Sequence, residues 1–172
     1  SMALLEIRTY PDPVLRKVAK PIDDINDDII KLAEDMIETM RLFRGAGLAA
    51  NQVGVPIRMI VLEPESDKKN RGNKKSDALI LINPVIVKSE EEEIAEEGCL
   101  SLPKFYEYIK RAKKVSVKGL STANIPFEME CDGHMARAFQ HEIDHLNGVL
   151  FIDYLSPIKR NLFKKKYVKK DR

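Results

Sequence analysis

The stretch His141-Glu142-Ile143-Asp144-His145 constrains this chain more than any other. On an α-helix, two histidines four residues apart lie one turn apart on one face, and Glu142 stands beside the first of them. The pattern therefore asks for a helix with that face turned toward a common point, and Asp132 can cap its start. A packed or solvated helix that merely happens to carry both histidines is the bland alternative. A catalytic divalent metal usually takes three protein ligands and keeps one position open, so a third donor has to come from elsewhere.

The downstream sequence does not supply it. In the long pattern H-E-x-x-H-x-x-G-x-x-H, Gly148 falls on the glycine, but the last position is Phe151, which cannot bind a metal. No Glu or His follows His145, and the carboxylates left are Asp153 and Asp171 in the charged tail. Asp153 follows the apolar run Val149 to Ile152 and reads as a strand-to-loop residue or helix cap. Upstream, the strong donors are His134, Cys99 and Cys131, and a thiolate suits soft metals such as zinc and ferrous iron.

Two further segments stand upstream: Gly45-Ala46-Gly47-Leu48-Ala49-Ala50-Asn51-Gln52 and Glu97-Gly98-Cys99-Leu100-Ser101. With the histidine motif they resemble the peptide deformylase family, which is marked by G-x-G-x-A-A-x-Q, E-G-C-L-S and H-E-x-x-H in this order. The likeness extends through Tyr10 to Arg16 and through Gln140 and Leu146-Asn147-Gly148, so it covers nearly the whole chain. The resemblance implies a metal-dependent hydrolase that removes the N-formyl group from the N-terminal formylmethionine of nascent polypeptides and releases formate. It implies Cys99, His141 and His145 as metal ligands. Ligand chemistry alone suggests zinc, whereas the family implies Fe2+, with Zn2+, Ni2+ or Co2+ able to substitute. It also implies that Gln52 and the Leu100 N–H assist the metal in stabilising the oxyanion. Arg111 matches a recurring arginine of the family and is expected to pair with Glu97 and orient the ligand loop.

These residue types suit the chemistry. Two neutral imidazoles and one thiolate leave a divalent site with a charge of about +1, enough to bring water toward ionisation at neutral pH. Glu142, next to a ligand, is placed to take that proton and later deliver one to the departing amine. Gly45, Ala46, Gly47 and Gly98 offer backbone that a peptide can approach closely and pair with as an added strand. Gly45 and Gly47 alone would read as a helix C-cap and turn. His134 and Ala138 lie near the ligand face of the helix and are expected to wall the pocket for the substrate's first side chain. His134 departs from the aliphatic or aromatic residue more usual there, and Tyr106 lies in a stretch where relatives vary. Cys131 reads as a buried thiol. Two other functions fit the histidine motif: a metalloendopeptidase, and a non-enzymatic, metal-stabilised module that binds the ribosome or RNA.

At 172 residues the chain is expected to form one domain. An α+β fold is indicated, with antiparallel strands packed around the motif helix and a C-terminal helix. Asp27 or Asp28 can cap a first helix through Ile29, Leu32, Ala33, Met36, Ile37 and Met40, with Gly45 ending it. Strands are expected at Arg58 to Glu63, Leu79 to Val87, Phe105 to Ile109, Lys114 to Lys118 and Phe127 to Glu130, with a polar loop from Ser66 to Ser76. Two cysteines make no disulfide framework, and no apolar stretch approaches the roughly 20 residues of a membrane span. With no signal-peptide core at the N-terminus, a cytoplasmic location follows, with no membrane or DNA partner. The net charge is only +2, yet it is unevenly spread. Glu90 to Glu93 with Glu96 and Glu97 read as a solvated strand or loop. Residues 156–172 read as a basic amphipathic helix with Leu155, Ile158, Leu162 and Phe163 on its apolar side. The family resemblance gives that segment a ribosome-attachment role.

Overall fold

The computed structural model describes residues 3–64 and 78–170, so the loop expected from Ser66 to Ser76 lies outside the described residues. Helix α1 spans Asp27–Leu42. Its cap is Asn26 rather than Asp27 or Asp28: the Asn26 Oδ1 accepts from the Ile29 N–H at 3.0 Å. The two aspartates fill the first turn instead, where carboxylates meet the positive end of the helix dipole. Helix α1 stops at Leu42, short of Gly45, whose N–H reaches back to Met40 O at 2.9 Å. Ala33, Met36 and Met40 pack against Leu48, Met59, Val61 and Ile82.

Those partners lie on an antiparallel sheet whose strands follow one another in chain order: β1 Gly47–Ala49, β2 Met59–Leu62, β3 Leu79–Cys99, β4 Leu102–Leu120 and β5 Pro126–Asp132. Strands β3 and β4 run much further than the short apolar segments read from the sequence. The acidic run is part of β3, with Glu90 opposite Lys114, Glu93 opposite Arg111 and Ile94 opposite Lys110. Lys110 reaches Glu92 at 3.5 Å, and Lys114 reaches Glu91 at 4.0 Å. Ladder hydrogen bonds and cross-strand charge pairing hold the strand there, so it does not need an apolar face.

Helix α2, Gly133–Leu146, packs across the sheet. Asp132 occupies its N-cap position, but the Asp132 side chain makes no capping hydrogen bond. Ala136, Phe139, Ile143 and Leu146 form a stripe at helical spacing against Ala49, Ile60, Leu62, Leu81, Val115 and Val117. Arg137, His141, Glu142 and His145 are also buried, so α2 is covered on more than its apolar face.

After α2 the chain turns at Gly148, whose φ of +73° suits glycine, and any Cβ there would stand 2.5 Å from Arg16 O. Arg16 donates to Gly148 O at 3.1 Å and to the two Asp153 oxygens at 2.7 and 3.0 Å. Asp153 lies in a 3-10 turn, Phe151–Tyr154, and caps it by accepting from the Leu150 N–H at 3.1 Å; of the two readings, the cap is the one that holds. Helix α3, Pro157–Lys170, follows. Its docking stripe is Phe163 with Tyr167, because Ile158 and Leu162 point to solvent. Phe163 sits among Phe105 at 4.6 Å, Tyr10 at 5.2 Å and Tyr167 at 4.4 Å between ring centres. No helix among the described residues is long and apolar enough to cross a membrane.

Phe163→Ala should cost about 3–5 kcal/mol of unfolding free energy, as expected for emptying a packed aromatic site. Ile158→Ala should stay within about 0.5 kcal/mol. Urea unfolding of both variants checks which face of α3 is docked.

Candidate metal centre

Cys99 ends β3, where the pairing shifts register between Gly98 and Cys99. An irregularity of this kind re-aims a side chain at the end of a ladder. His141 and His145 come from one face of α2. The Cys99 Sγ lies 3.4 Å from His145 Nε2, which lies 3.2 Å from His141 Nε2. One donor atom from each of the three residues falls within 4.8 Å of the others. Three lone-pair donors so close together repel one another unless a cation or protons stand between them, and a thiolate with two imidazoles suits a divalent transition metal. His145 is almost wholly buried and its Nδ1 finds no hydrogen-bond partner. The His141 pKa is raised well above its ordinary value: burial opposes this, but Glu142, Cys99 and Glu97 outweigh it. His145 is pushed the other way, by burial first and then by the charge on His141. Proton and metal compete for these nitrogens.

Glu97 fixes the His141 ring. Its Oε1 lies 2.9 Å from His141 Nδ1, leaving Nε2 to face Cys99 and His145. Arg111 donates to both Glu97 oxygens, at 2.7 and 2.9 Å, and its third contact is Asp144 at 2.6 Å. Burial alone would push the Glu97 carboxyl up, but the Arg111 and His141 hydrogen bonds and the Arg111 charge hold it well below the usual carboxylate range. Asp144 also accepts from Tyr154 Oη at 2.7 Å, and the Arg111 guanidinium lies 5.1 Å from the centre of the Tyr154 ring.

Glu142 shows the opposite balance. Burial raises its carboxyl to about 7, and its Oε1 has no hydrogen-bond partner. A carboxylate in this state can bind or release a proton near neutrality. Gly47 makes room for it: a Cβ on Gly47 would stand 2.7 Å from Glu142 Oε2. Gln52 is oriented by the Ala49 N–H, which donates to its Oε1 at 2.9 Å, so its Nε2 faces Ser101 Oγ at 3.0 Å and Cys99 Sγ at 3.7 Å.

A cleft of about 790 Å³ opens onto this group. Gly45, Ala46, Gly47, Gln52, Gly98, Leu100, Ala138 and Glu142 border it along with Cys99 and His141. His134 is exposed at its edge. The tight fit at Gly98 is with Tyr106, whose ring lies over the place of a Cβ. Cys131 stands apart on β5, where it packs against the main core and burial, then Asp132, pushes its thiol up to about 11. Phe151, where the long protease pattern wants a histidine, is in the core beneath the site, 6.1 Å from the His141 ring centre. Sequence reasoning missed Arg137, Ser101, Asp144 and Tyr154. Arg137 had one usable signal, since it precedes His141 by one helical turn and so shares the ligand face.

A family profile described as polypeptide deformylase matches residues 4–161. The peptide deformylase of Thermodesulfovibrio yellowstonii is 51% identical over 166 residues, covering 96% of this chain and 98% of its own length. A crystal structure of a peptide deformylase from Legionella pneumophila, 43% identical, superposes with a TM-score of 0.88 over 99% of this chain and 96% of that one. The structure of the Ehrlichia chaffeensis peptide deformylase in complex with actinonin, 39% identical, superposes with a TM-score of 0.89 over 99% of each chain.

Removing the guanidinium that carries both Glu97 and Asp144 leaves buried negative charge behind. Arg111→Met should lower stability by about 3–5 kcal/mol, measured by chemical denaturation.

Proposed function

This chain belongs to the polypeptide deformylase family, metal-dependent enzymes that remove the N-formyl group from nascent polypeptides, and we propose that it does so with Cys99, His141 and His145 as ligands of one divalent ion and Glu142 as the proton-transfer group. The observation that carries this assignment is the convergence of a thiol and two imidazole nitrogens beside the buried Glu142 carboxyl, whose Oε1 lacks a partner. A divalent ion bound there supplies Lewis-acid polarisation of the formyl carbonyl and acidifies water.

The protein groups do the rest. Glu97 and Arg111 keep the His141 ring aimed. Glu142 accepts a proton from the attacking water and returns one to the departing amine. The Gln52 Nε2 and the Leu100 N–H donate to the oxygen that gains charge, where a preorganised donor is worth about 2.7–4 kcal/mol in the transition state. Strand β1 pairs with β2 along one edge, and the other edge, with Gly45, Ala46 and Gly98 nearby, is offered to the extended peptide. Ala138 and His134 wall the space for the methionine side chain. Fe2+ is the proposed native metal, with Zn2+, Ni2+ or Co2+ as substitutes.

The enzyme acts as a single domain in the cytoplasm. The exposed Lys164, Lys165 and Lys166 on α3 give it an electrostatic hold on ribosomal RNA.

Glu142→Ala should lower formate release from a formylmethionyl peptide by about 100- to 10,000-fold while metal content per chain stays at the wild-type value. Metal lost in step with activity would count against the role given to Glu142. The ribosome contact is tested by charge rather than by truncation, because removing residues 159–172 would strip Phe163 from the core. Replacing Lys164, Lys165 and Lys166 with Ala should weaken co-sedimentation with ribosomes and flatten its dependence on salt. Binding unaltered by these changes would refute the contact.

A further inference from the structure

Glu97 has one partner that no motif supplies. Arg137 donates from Nη1 to Glu97 Oε2 at 2.6 Å and to Ile109 O at 2.9 Å, and from Nη2 to Glu93 O at 2.8 Å. Its side chain is only 10% exposed, and it borders the cleft. With Arg111 and His141 it completes two donors on each Glu97 oxygen, which is the full accepting capacity of a carboxylate.

The charges explain why a second guanidinium is needed. Arg111 is shared between Glu97 and Asp144, so by itself it would leave this buried group with negative charge in excess. Arg137 brings the two guanidiniums and two carboxylates to balance. A buried carboxylate short of one donor is left with an unused lone pair and uncompensated charge, and its hold on His141 then loses direction. The site of attachment matters as well. Arg137 precedes His141 by one turn of α2, so two side chains of the ligand helix grip the same carboxylate, two residues before Cys99 on the ligand strand. The bonds to Glu93 O and Ile109 O tie that guanidinium to both β3 and β4, which prevents it from swinging into the cleft.

We propose that Arg137 is a positioning residue of the metal centre: it neutralises and immobilises Glu97, so that Glu97 holds the His141 ring at a set distance and direction from Cys99 and His145. This deepens the ligand assignment made above and rests on it. Groups that orient a metal-bound histidine through its second nitrogen typically account for 10- to 100-fold in metal affinity.

The test uses the full chain stripped of metal and titrated with Co2+, alone and against a competing chelator, with the thiolate-to-cobalt absorption band as the spectroscopic readout. Arg137→Met keeps the bulk and removes every donor. It should weaken Co2+ binding about 10- to 100-fold and shift the cobalt spectrum. In the cobalt-loaded enzyme kcat should fall, with KM for a formylmethionyl tripeptide near the wild-type value. Arg137→Lys, which keeps the charge but not the fork, should recover part of the affinity, and it carries the same measurements if the methionine variant does not fold. Lower melting temperature with unchanged Co2+ affinity and spectrum would reduce Arg137 to a structural clamp and overturn the proposal. A raised KM with unchanged Co2+ binding would make it a peptide contact and overturn it too. A wild-type spectrum without a thiolate band that Cys99→Ser abolishes would refute the ligand set itself, and this proposal with it.

Discussion

The ion pair between Glu97 and Arg111 is the contact on which the site depends. A carboxylate so deeply buried is tolerable only when its charge is balanced and its lone pairs are used. Saturating it forces three elements together: the end of β3, which presents Cys99 two residues later; β4, which brings Arg111; and α2, which brings His141. Neither the strand nor the helix could hold a metal by itself. The long β3–β4 hairpin thus does more than cover the core: its register sets Glu93 opposite Arg111, and the Arg111 side chain reaches from there to Glu97, four residues further along β3.

Within this frame the two carboxyls nearest His141 are driven in opposite directions by similar burial. Glu97 has charged donors on every side and stays ionised, whereas Glu142 meets no donor strong enough to offset its desolvation and rises to about 7. One is an anchor and the other is suited to proton transfer. The separation follows from where the cations stand. Both guanidiniums, Arg111 and Arg137, bond to Glu97, whereas Glu142 stands against Gly47 with no hydrogen bond to its Oε1.

The grouping of the candidate site was legible in the sequence because it needs rare residue types at set spacings. His141, Glu142 and His145 declare a helix and a metal together, and Phe151 declares that the third ligand is elsewhere. Helices α1 and α2 and the apolar parts of the strands were legible from periodicity. The extension of β3 through Glu90–Glu97 was not, since it has little apolar face and is held by its ladder to β4, a partner strand that no local pattern announces. Asn26 was passed over for Asp27 and Asp28, which are equally good caps by residue type; only the backbone conformation chooses among them. Arg137 escaped because an arginine on a helix reads as solvated until a buried carboxylate opposite it is known. Gly47 was read as room for a peptide, whereas the nearest atoms it makes room for belong to Glu142 and Leu62.

The position of Phe151 also bears on how the site works. A protease that takes its third histidine from that direction has a ligand below the first two. Here an aromatic ring fills the place, packed against Phe105 and facing His141. The third candidate donor comes instead from Cys99, at the end of β3 and bordering the cleft. The floor of the centre is closed, with His145 only 1% exposed, and the cleft that opens onto it is bordered by Gly45, Gly98 and Leu100. A low-dielectric floor strengthens every charge interaction above it. The cleft reaches from Gly45 and Gly47 to Glu142 and Gln52. A centre closed behind and reached from the cleft is consistent with the N-terminal formamide on which the family acts.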